Sequence, residues 1–252
     1  LYKPFQTLEI NRSKAIVAAT RTHFTSSTQI PSNYPDSQKH VIPFGIDFDW
    51  LELTPYLADK AKSIRSQARG KFVVFALGRQ VRYKGFDVLL NALQHTVAYL
   101  ILGGEGPLTS QLKDQAQKLG ISDRVVFTGK LSEEDAAACY HACDVFCLPS
   151  VTPNEAFGIV QVEAMACGKP VICTKLNNGV NEINPHMQTG LTVSPSDPIA
   201  LSKAINQLRD NPTLATSLGR TAQQHARNKF STENMLIQHL ALYEKVIKTA
   251  PH

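Results

Sequence analysis

Short apolar runs alternate with amphipathic segments from Lys71 onward. The runs are apolar on both faces, which is typical of strands buried in a parallel sheet, and the segments between them carry apolar residues at helical spacing. The predicted strands are Phe72–Leu77, Ala98–Leu102, Arg124–Thr128, Val145–Leu148, Val171–Thr174 and Gly190–Val193. The predicted helices are Phe86–Gln94, Leu108–Leu119, Ser132–Ala142, Gly158–Cys167, Pro198–Arg209 and Thr213–Lys229.

This alternation predicts an α/β fold, with a doubly wound, mostly parallel, Rossmann-like sheet that helices cover on both faces. In such a sheet ligands bind beyond the carboxyl ends of the strands. The loops expected at that edge are residues 78–85, 103–107, 129–131, 149–157 and 175–182.

The two ends of the chain follow a different pattern. Lys14–Ala19 and Val41–Phe44 predict two strands, with a short helix after Thr20 or Thr22. One strand–helix unit cannot bury its own faces, so we expect it to pack on further structure. The amphipathic helix Thr232–Lys248 is expected to pack against the same neighbour. The predicted divisions are therefore residues 1–44, 45–230 and 231–252.

Composition narrows the classes of protein. Of 252 residues, 43% are hydrophobic, which is enough for a core. Lys and Arg total 26 against 21 Asp and Glu, a net charge of +5. The basic residues are scattered, which argues against a nucleic-acid-binding tail or a polybasic membrane anchor and fits a small anionic ligand. The sequence contains no apolar run of the roughly 20 residues that a membrane helix needs, and no signal peptide pattern.

The five cysteines fall in the second half of the chain, at positions 139, 143, 147, 167 and 173. Several stand in apolar stretches, which predicts buried thiols in a reducing compartment. A zinc site is the alternative. It is disfavoured because the chain has no C-x-x-C, and because Cys147 falls in a predicted strand, so that Cys139, Cys143 and Cys147 cannot all face one metal from a single helix. We predict no metal site.

A basic loop follows the first predicted strand, residues 78–85 (GRQVRYKG). Neither it nor residues 103–107 (GGEGP) fits the glycine spacing of a dinucleotide-binding turn or a P-loop, which disfavours both. Arg79 offers a planar fork of donors and Lys84 a point charge, and together they match a diphosphate. The alternative is that both are solvated loop cations.

Two carboxylates flank the start of a predicted helix in residues 149–165 (PSVTPNEAFGIVQVEAM). The unpaired N–H groups and dipole of a helix start favour an anion such as a pyrophosphate. A carboxylate beside a diphosphate is repulsive unless it accepts from hydroxyls, which indicates sugar hydroxyls for Glu155 and ribose hydroxyls for Glu163. A solvated helix position is the alternative for Glu163, and its apolar neighbours fit that alternative poorly.

The spacing of Glu155 and Glu163 resembles the E-x7-E signature of the GT-B-fold retaining glycosyltransferases of family 4. The loop GRQVRYKG resembles that family's donor loop, LGGEGPL and VVFTGKLS resemble its next two strand ends, and VIPFGID resembles its interdomain segment. The similarity covers roughly residues 40–248, and all the motifs stand in the family's order. Each motif alone is weak, whereas the ordered set is specific. The resemblance implies the C-terminal, donor-binding half of a GT-B fold, with residues 1–44 a remnant of the N-terminal acceptor domain.

The resemblance also implies roles for individual residues. Arg79 and Lys84 would hold the donor diphosphate and stabilise the leaving nucleotide, and Glu155 would contact the transferred sugar; these three form the expected catalytic set. Glu163 would hold the ribose. The remaining donor-binding positions are Gly104 and Gly106 for close backbone approach, Gly129, Lys130 and Leu131 along the base, and Ala156, Phe157, Gly158 and Ile159 beside the phosphate or sugar.

Two departures from the family pattern stand out. Ala156 occupies a position where the family usually has glycine. Residues 178–182 (NGVNE) replace the family's Gly-Gly-x-x-Glu, which bears on the sugar-hydroxyl contacts of that loop and on the identity of the donor.

The expected function is transfer of a sugar from a UDP- or GDP-linked donor to a carbohydrate or glycolipid acceptor, with retention of anomeric configuration and without a metal or other cofactor. A sugar-nucleotide epimerase of related fold, or a binding module without turnover, is the alternative. Since a GT-B active site lies between two domains, we expect this chain to bind donor weakly and to transfer nothing measurable. The resemblance implies a cytoplasmic protein active in polysaccharide biosynthesis, and it allows contact with the inner face of the membrane through the N-terminal domain.

Overall fold

The computed structural model describes residues 3–31 and 33–248. Its strands are β1 (Ile16–Ala18), β2 (Lys39–Val41), β3 (Val73–Leu77), β4 (Tyr99–Gly103), β5 (Val125–Gly129), β6 (Val145–Leu148), β7 (Val171–Thr174) and β8 (Gly190–Val193). Its helices are α1 (Lys3–Arg12), α2 (Arg21–Ser26), α3 (Pro55–Ser66), α4 (Phe86–Leu93), α5 (Thr109–Lys118), α6 (Glu133–Ala142), α7 (Ile159–Ala166), α8 (Gly179–Ile183), α9 (Pro198–Asp210), α10 (Pro212–Phe230) and α11 (Thr232–Lys248).

The chain divides into two compact units. One contains the residues up to Asp47 together with those from Asn228 onward, and the other is Phe48–Arg227. The assignment of the first unit to an acceptor domain and of the second to a donor domain stays a prediction.

The larger unit contains a six-stranded sheet in the order β5-β4-β3-β6-β7-β8, and every pairing in it is parallel. The strand order reverses between β3 and β6, so the helices that connect β3, β4 and β5 cover one face of the sheet and those that connect β6, β7 and β8 cover the other. The predicted α/β, doubly wound, Rossmann-like fold is confirmed.

The two faces of the sheet are packed differently because side chains alternate along each strand. One face is aliphatic: Val74 and Val145 belong to a buried cluster that also contains apolar residues of α4, α5 and α9. The other face carries aromatic rings. There Phe75, Phe146 and the fully buried Tyr140 of α6 lie with ring centroids 5.1 to 5.7 Å apart.

Most helix signals in the larger unit are confirmed. The Ser132 side chain caps α6 by accepting the N–H of Asp135, and Gly120 follows α5 with a φ of +67°. Two helices were not predicted. No element is predicted for residues 48–70, yet α3 forms there behind a capping Thr54, with Leu57 and Ala61 buried four residues apart. Residues 175–182 were predicted to be a loop, which is wrong because Asn178 caps the short helix α8.

In the smaller unit β1 and β2 are parallel, with Ile16 opposite Lys39. The predicted strand Val41–Phe44 is wrong: β2 ends at Val41, and Pro43 has no N–H to continue a ladder. Beyond it, the Ile46 N–H donates to the carbonyl of Phe230 at 2.8 Å. On α11, Leu242 is buried while Leu240 and Tyr243 are exposed, so the packing expected for this helix stays a prediction.

The cysteines are free thiols, and four of the five are buried, as predicted; Cys167 is partly buried. Burial raises the pKa of Cys139, Cys143 and Cys167 to about 12. Within the described residues, no group of three or more histidines, cysteines or carboxylates is placed to hold a metal ion. None of the helices in the described ranges is both long and apolar enough to cross a bilayer.

Candidate functional site

The site lies where the strand order of the larger sheet reverses. Strand β3 pairs with β6 through Val74 opposite Val145 and Phe75 opposite Phe146. Connections leave these two strands towards opposite faces, which opens a crevice beyond their carboxyl ends. Residues 78–85 follow β3 and residues 149–158 follow β6, so the topology brings the two predicted donor loops together.

An ion pair joins the two loops. Lys84 Nζ lies 2.5 Å from Glu155 Oε2, and both side chains are largely buried, with exposed fractions of 12% and 9%. The Ser150 hydroxyl donates to the same carboxylate oxygen at 3.0 Å. Burying two charges is costly, and the mutual attraction offsets that cost only when the geometry is good and further hydrogen bonds are made. The Lys84–Glu155 pair therefore fixes a cation and a carboxylate next to each other between the two loops.

Backbone contacts fix the same two loops. The N–H of Val151 donates to the carbonyl of Tyr83 at 2.8 Å. Gly85, with a φ of +68°, lies against the carbonyl of Pro149 so closely that a Cβ there would overlap it. From the side of β7, the Asn178 amide donates to the carbonyl of Glu155 at 2.6 Å. Asn178 belongs to the segment that departs from the family pattern, and here it supports the backbone of the first glutamate.

Helix α7 begins at Ile159, one residue later than predicted, behind Gly158 in the left-handed region with a φ of +73°. The first N–H groups of a helix have no partner within it and form an anion-binding site. Ala156 and Ile159 are exposed at this point, whereas Phe157 is buried and its carbonyl accepts from the Gln161 amide at 2.7 Å. The geometry allows the backbone of this turn to contact a phosphate.

Glu163 lies further along α7 and is partly buried. Its Oε2 accepts a hydrogen bond of 2.6 Å from the hydroxyl of Tyr140, a side chain with no exposed surface. Burial raises the pKa of Glu163, the nearby Glu133 raises it further, and the Tyr140 hydrogen bond opposes both. Burial also raises the pKa of Tyr140, so the phenol stays protonated and donates the hydrogen bond to Glu163. Glu163 is thus not a freely solvated helix position.

Glycines bring the loops after β4 and β5 against the loop after β3. The N–H of Gly104 donates to the carbonyl of Gly129 at 2.8 Å, and Gly104 has a φ of +93°. A Cβ on Gly104 would overlap the carbonyl oxygen of Gly78, and one on Gly106 would come within 2.6 Å of the Gln80 carbonyl oxygen. Close backbone approach at Gly104 and Gly106, expected toward the donor, is thus found between the loops themselves.

Further predicted residues lie around these loops. Arg79 is exposed and lines an open cavity of about 540 Å³ with Glu105, Gly106 and Thr109. Within the described part of the chain its guanidinium makes no ion pair, which leaves its donors available to a ligand. Lys130 is exposed and Leu131 partly buried, directly after β5.

The structure therefore joins Lys84 to Glu155 directly. Among the described residues, Glu163 is bonded to Tyr140 instead, and no ion pair or side-chain hydrogen bond links Arg79 to the other three. Sequence reasoning missed Ser150, Tyr140 and Asn178, which hold the two glutamates. Ser150 carried a weak signal, since it is the first polar residue after a buried strand. Tyr140 carried none, because its hydroxyl meets Glu163 only in the folded chain.

Comparison with known proteins identifies the family. The family model described as glycosyl transferases group 1 matches residues 59–225. The D-rhamnosyltransferase WbpZ of Pseudomonas aeruginosa is 33% identical over 231 residues, which cover 92% of this chain and 59% of that protein. The O-antigen chain mannosyltransferase C of Escherichia coli is 28% identical over 249 residues, or 99% of this chain and 65% of that protein. The chain thus spans about three fifths of the length of these relatives. Neither name supports the epimerase alternative.

Solved structures agree with this result. The crystal structure of Anabaena HepE in complex with UDP matches 94% of this chain and 65% of its own, with a TM-score of 0.84 and 26% identity. Sucrose-phosphate synthase from Thermosynechococcus elongatus matches 98% of this chain and 62% of its own, with a TM-score of 0.83 and 26% identity. The chain therefore belongs to the family of glycosyl transferases of group 1.

Proposed function

We propose that this chain binds the nucleotide-sugar donor of a hexosyltransferase, in the crevice beyond the carboxyl ends of β3 and β6. The observation that carries the proposal is the buried ion pair of Lys84 and Glu155, which places a cation and a hydroxyl-accepting carboxylate side by side at the switch point of the sheet. A sugar diphosphate carries negative phosphate oxygens next to hydroxyl groups, which matches a cation beside a carboxylate that can accept hydrogen bonds. Anabaena HepE, whose fold is similar, has a crystal structure in complex with UDP, which supports a nucleotide ligand for this chain.

The residues divide the work by charge. Lys84 and Arg79 supply the positive charge that a departing nucleoside diphosphate requires, aided by the N–H groups at the start of α7. Once the diphosphate shares Lys84, the Glu155 carboxylate is free to accept from the sugar hydroxyls. Glu163 accepts from the ribose. With these cations in place the proposed reaction needs no metal ion or other cofactor.

The finer features are part of the same proposal. The chain is assigned to the retaining enzymes of family 4, with the leaving phosphate assisting attack from the face it leaves. The acceptor, a carbohydrate or a glycolipid, binds a preceding domain, which would also make any contact with the inner face of the membrane; the enzyme itself is cytoplasmic. Because domain closure assembles such a site, this chain alone binds donor weakly and transfers nothing measurable.

Calorimetric titration tests donor binding. UDP, GDP and ADP, each free and sugar-linked, are titrated into the wild type, into Glu163→Ala and into the control Glu244→Ala, which changes an exposed carboxylate of α11. We expect one nucleotide to bind and Glu163→Ala alone to weaken it. Equal binding to all three proteins would remove Glu163 from the site. Transfer of sugar to a defined acceptor by this chain would overturn the expected inactivity.

A further inference from the structure

Each of the two glutamates has one carboxylate oxygen bonded to a buried hydroxyl. Ser150 Oγ donates to Glu155 Oε2 at 3.0 Å, and the Tyr140 hydroxyl donates to Glu163 Oε2 at 2.6 Å. Ser150 and Tyr140 both have no exposed surface, so water does not compete for either hydroxyl. The two contacts are built from different elements but have the same chemistry.

This arrangement decides which oxygen a ligand meets. Across the described ranges, the side-chain hydrogen bonds to the two glutamates all end on Oε2, including that from Lys84. A carboxylate oxygen has two lone-pair sites and so can accept about two hydrogen bonds. Oε2 of Glu155 accepts two hydrogen bonds and Oε2 of Glu163 accepts one, so Oε1 of each glutamate is the less occupied oxygen and the one we expect a ligand to meet.

The two hydroxyls are themselves held from outside the ligand loops. The Ser150 carbonyl accepts a short hydrogen bond from the hydroxyl of Thr174, at the end of β7. The Tyr140 ring packs edge-on against Phe75, with centroids 5.1 Å apart, and against Phe146 at 5.6 Å. Both rings come from the adjacent central strands β3 and β6. The residues that supply the two hydroxyls are therefore held by contacts with the strands of the sheet, and each hydroxyl in turn holds one carboxylate oxygen.

We propose that Ser150 and Tyr140 are positioning residues, Ser150 for the glutamate that meets the transferred sugar and Tyr140 for the glutamate that meets the ribose. The proposal rests on the proposed donor site. It goes further by assigning each hydroxyl to one half of the donor, so that the two residues act on separable parts of the binding energy.

A crossed binding experiment tests the assignment. UDP and UDP-glucose, with GDP and GDP-mannose as a second pair, are titrated into Ser150→Ala and Tyr140→Phe. We expect Ser150→Ala to leave affinity for the free nucleotide unchanged and to weaken the sugar-linked one by roughly tenfold. Tyr140→Phe should weaken both ligands by the same factor, of similar size, because both contain the ribose.

Matched variants separate positioning from packing. Tyr99→Phe removes the hydroxyl of another buried tyrosine at the start of β4, and Ser202→Ala removes a buried hydroxyl from α9. Neither should change either affinity. Ser150→Thr keeps a hydroxyl and should recover much of the sugar-dependent affinity. Thermal melts of all variants identify any that fail to fold, and ligand binding is compared only among folded ones.

The outcomes distinguish this inference from the proposed function. If Glu155→Gln and Glu163→Ala leave all affinities unchanged, the donor site itself is wrong and the inference falls with it. If those two variants weaken binding as expected, the donor site stands. The inference is then wrong if Ser150→Ala has no effect or weakens free and sugar-linked nucleotides by the same factor, or if Tyr140→Phe has no effect or weakens only the sugar-linked one. Only the crossed pattern supports it.

Discussion

The two sides of the candidate site are held together by different means. On the side of β6 and β7, side chains make the contacts: Lys84 and Ser150 bind the carboxylate of Glu155, and Asn178 binds its backbone. On the side of β4 and β5, backbone meets backbone, and Gly104 bonds to Gly129 while lying against Gly78. The first side therefore carries the charged side chains of the site, whereas the second is formed by closely packed backbone.

This difference predicts different responses to mutation. A side chain at Gly104 or Gly106 has no room, so a substitution at either position acts on folding first. On the charged side a substitution can preserve the volume and remove only the chemistry. The following variants use that contrast, in order of decreasing expected change in the free energy of unfolding.

Gly104→Ala should be the most destabilising change. Its backbone has a φ of +93°, and the new Cβ would overlap the Gly78 carbonyl oxygen. Strain and overlap together should cost about 4 kcal/mol. Urea unfolding followed by circular dichroism measures this.

Gly129→Ala is the matched control, because Gly129 also has a positive φ, +69°, but a Cβ there meets nothing within 4 Å. Only the backbone strain remains, about 1 kcal/mol. Equal costs for the two glycine variants would show that close contact between the loops does not matter.

Breaking the Lys84–Glu155 pair should cost somewhat less. Glu155→Gln leaves a nearly buried ammonium without its counter-charge, which should destabilise the fold by about 3 kcal/mol. The double variant Lys84→Met/Glu155→Gln should cost less than the sum of the two single changes, because it leaves no buried charge behind. A double-mutant cycle in urea measures this coupling.

The surface pair Lys62–Asp59 provides the reference, since both of its side chains are about 80% exposed. Its cycle should show almost no coupling, because exposed ion pairs are screened by water. A coupling at Lys84–Glu155 as small as this one would mean that the pair is solvated and does not hold the loops.

The same contrast explains what the sequence could predict. The glycine side could be predicted because Gly104 and Gly129 stand where predicted strands end. Glu155 and Glu163 could be predicted because a carboxylate beside an anion-binding helix start is repulsive to the anion unless it accepts hydrogen bonds from hydroxyls. The hydroxyl of Tyr140 could not be predicted, because its ring follows the apolar pattern of a buried helix face and only the tertiary fold brings its oxygen to Glu163. Helix α8 is too short for a periodic signal, and its cap Asn178 acts on a residue 23 positions earlier.

Glu163→Gln should stabilise the protein slightly at neutral pH. Burial, with Glu133 nearby, raises the pKa of Glu163 above its ordinary value of 4.5, while the Tyr140 hydrogen bond opposes the shift. The folded state therefore holds this proton more tightly than the unfolded state, so the contribution of Glu163 to stability is greatest at low pH and falls as pH rises through the interval between the two pKa values. Glutamine removes this decline and can still accept from Tyr140.

Urea unfolding of Glu163→Gln and wild type between about pH 4 and about pH 7 measures the effect. The stability advantage of the variant over wild type should grow as pH rises. In a nucleotide titration the variant should also bind more weakly than wild type does. Glu244→Gln, on an exposed position of α11, should show neither change. A constant difference across the pH range would mean that Glu163 titrates as an ordinary exposed glutamate.

Arg79→Gln should have the smallest effect on stability and still weaken the donor site. Arg79 is exposed and makes no ion pair within the described residues, so its loss should change the free energy of unfolding by less than about 0.5 kcal/mol. A charge-assisted contact to a diphosphate, in contrast, is worth about tenfold or more in affinity. Calorimetry with a nucleoside diphosphate and with the corresponding nucleoside should therefore show a loss of affinity for the diphosphate alone, and that loss should shrink as salt is added.

Arg82→Gln, at an exposed position of the same loop, is the matched control. If both arginine variants weaken the diphosphate equally, the loop acts through its general positive charge. Weakening confined to Arg79→Gln assigns the diphosphate to the cavity that Arg79 shares with Gly106, and joins the charged side of the site to the glycine side.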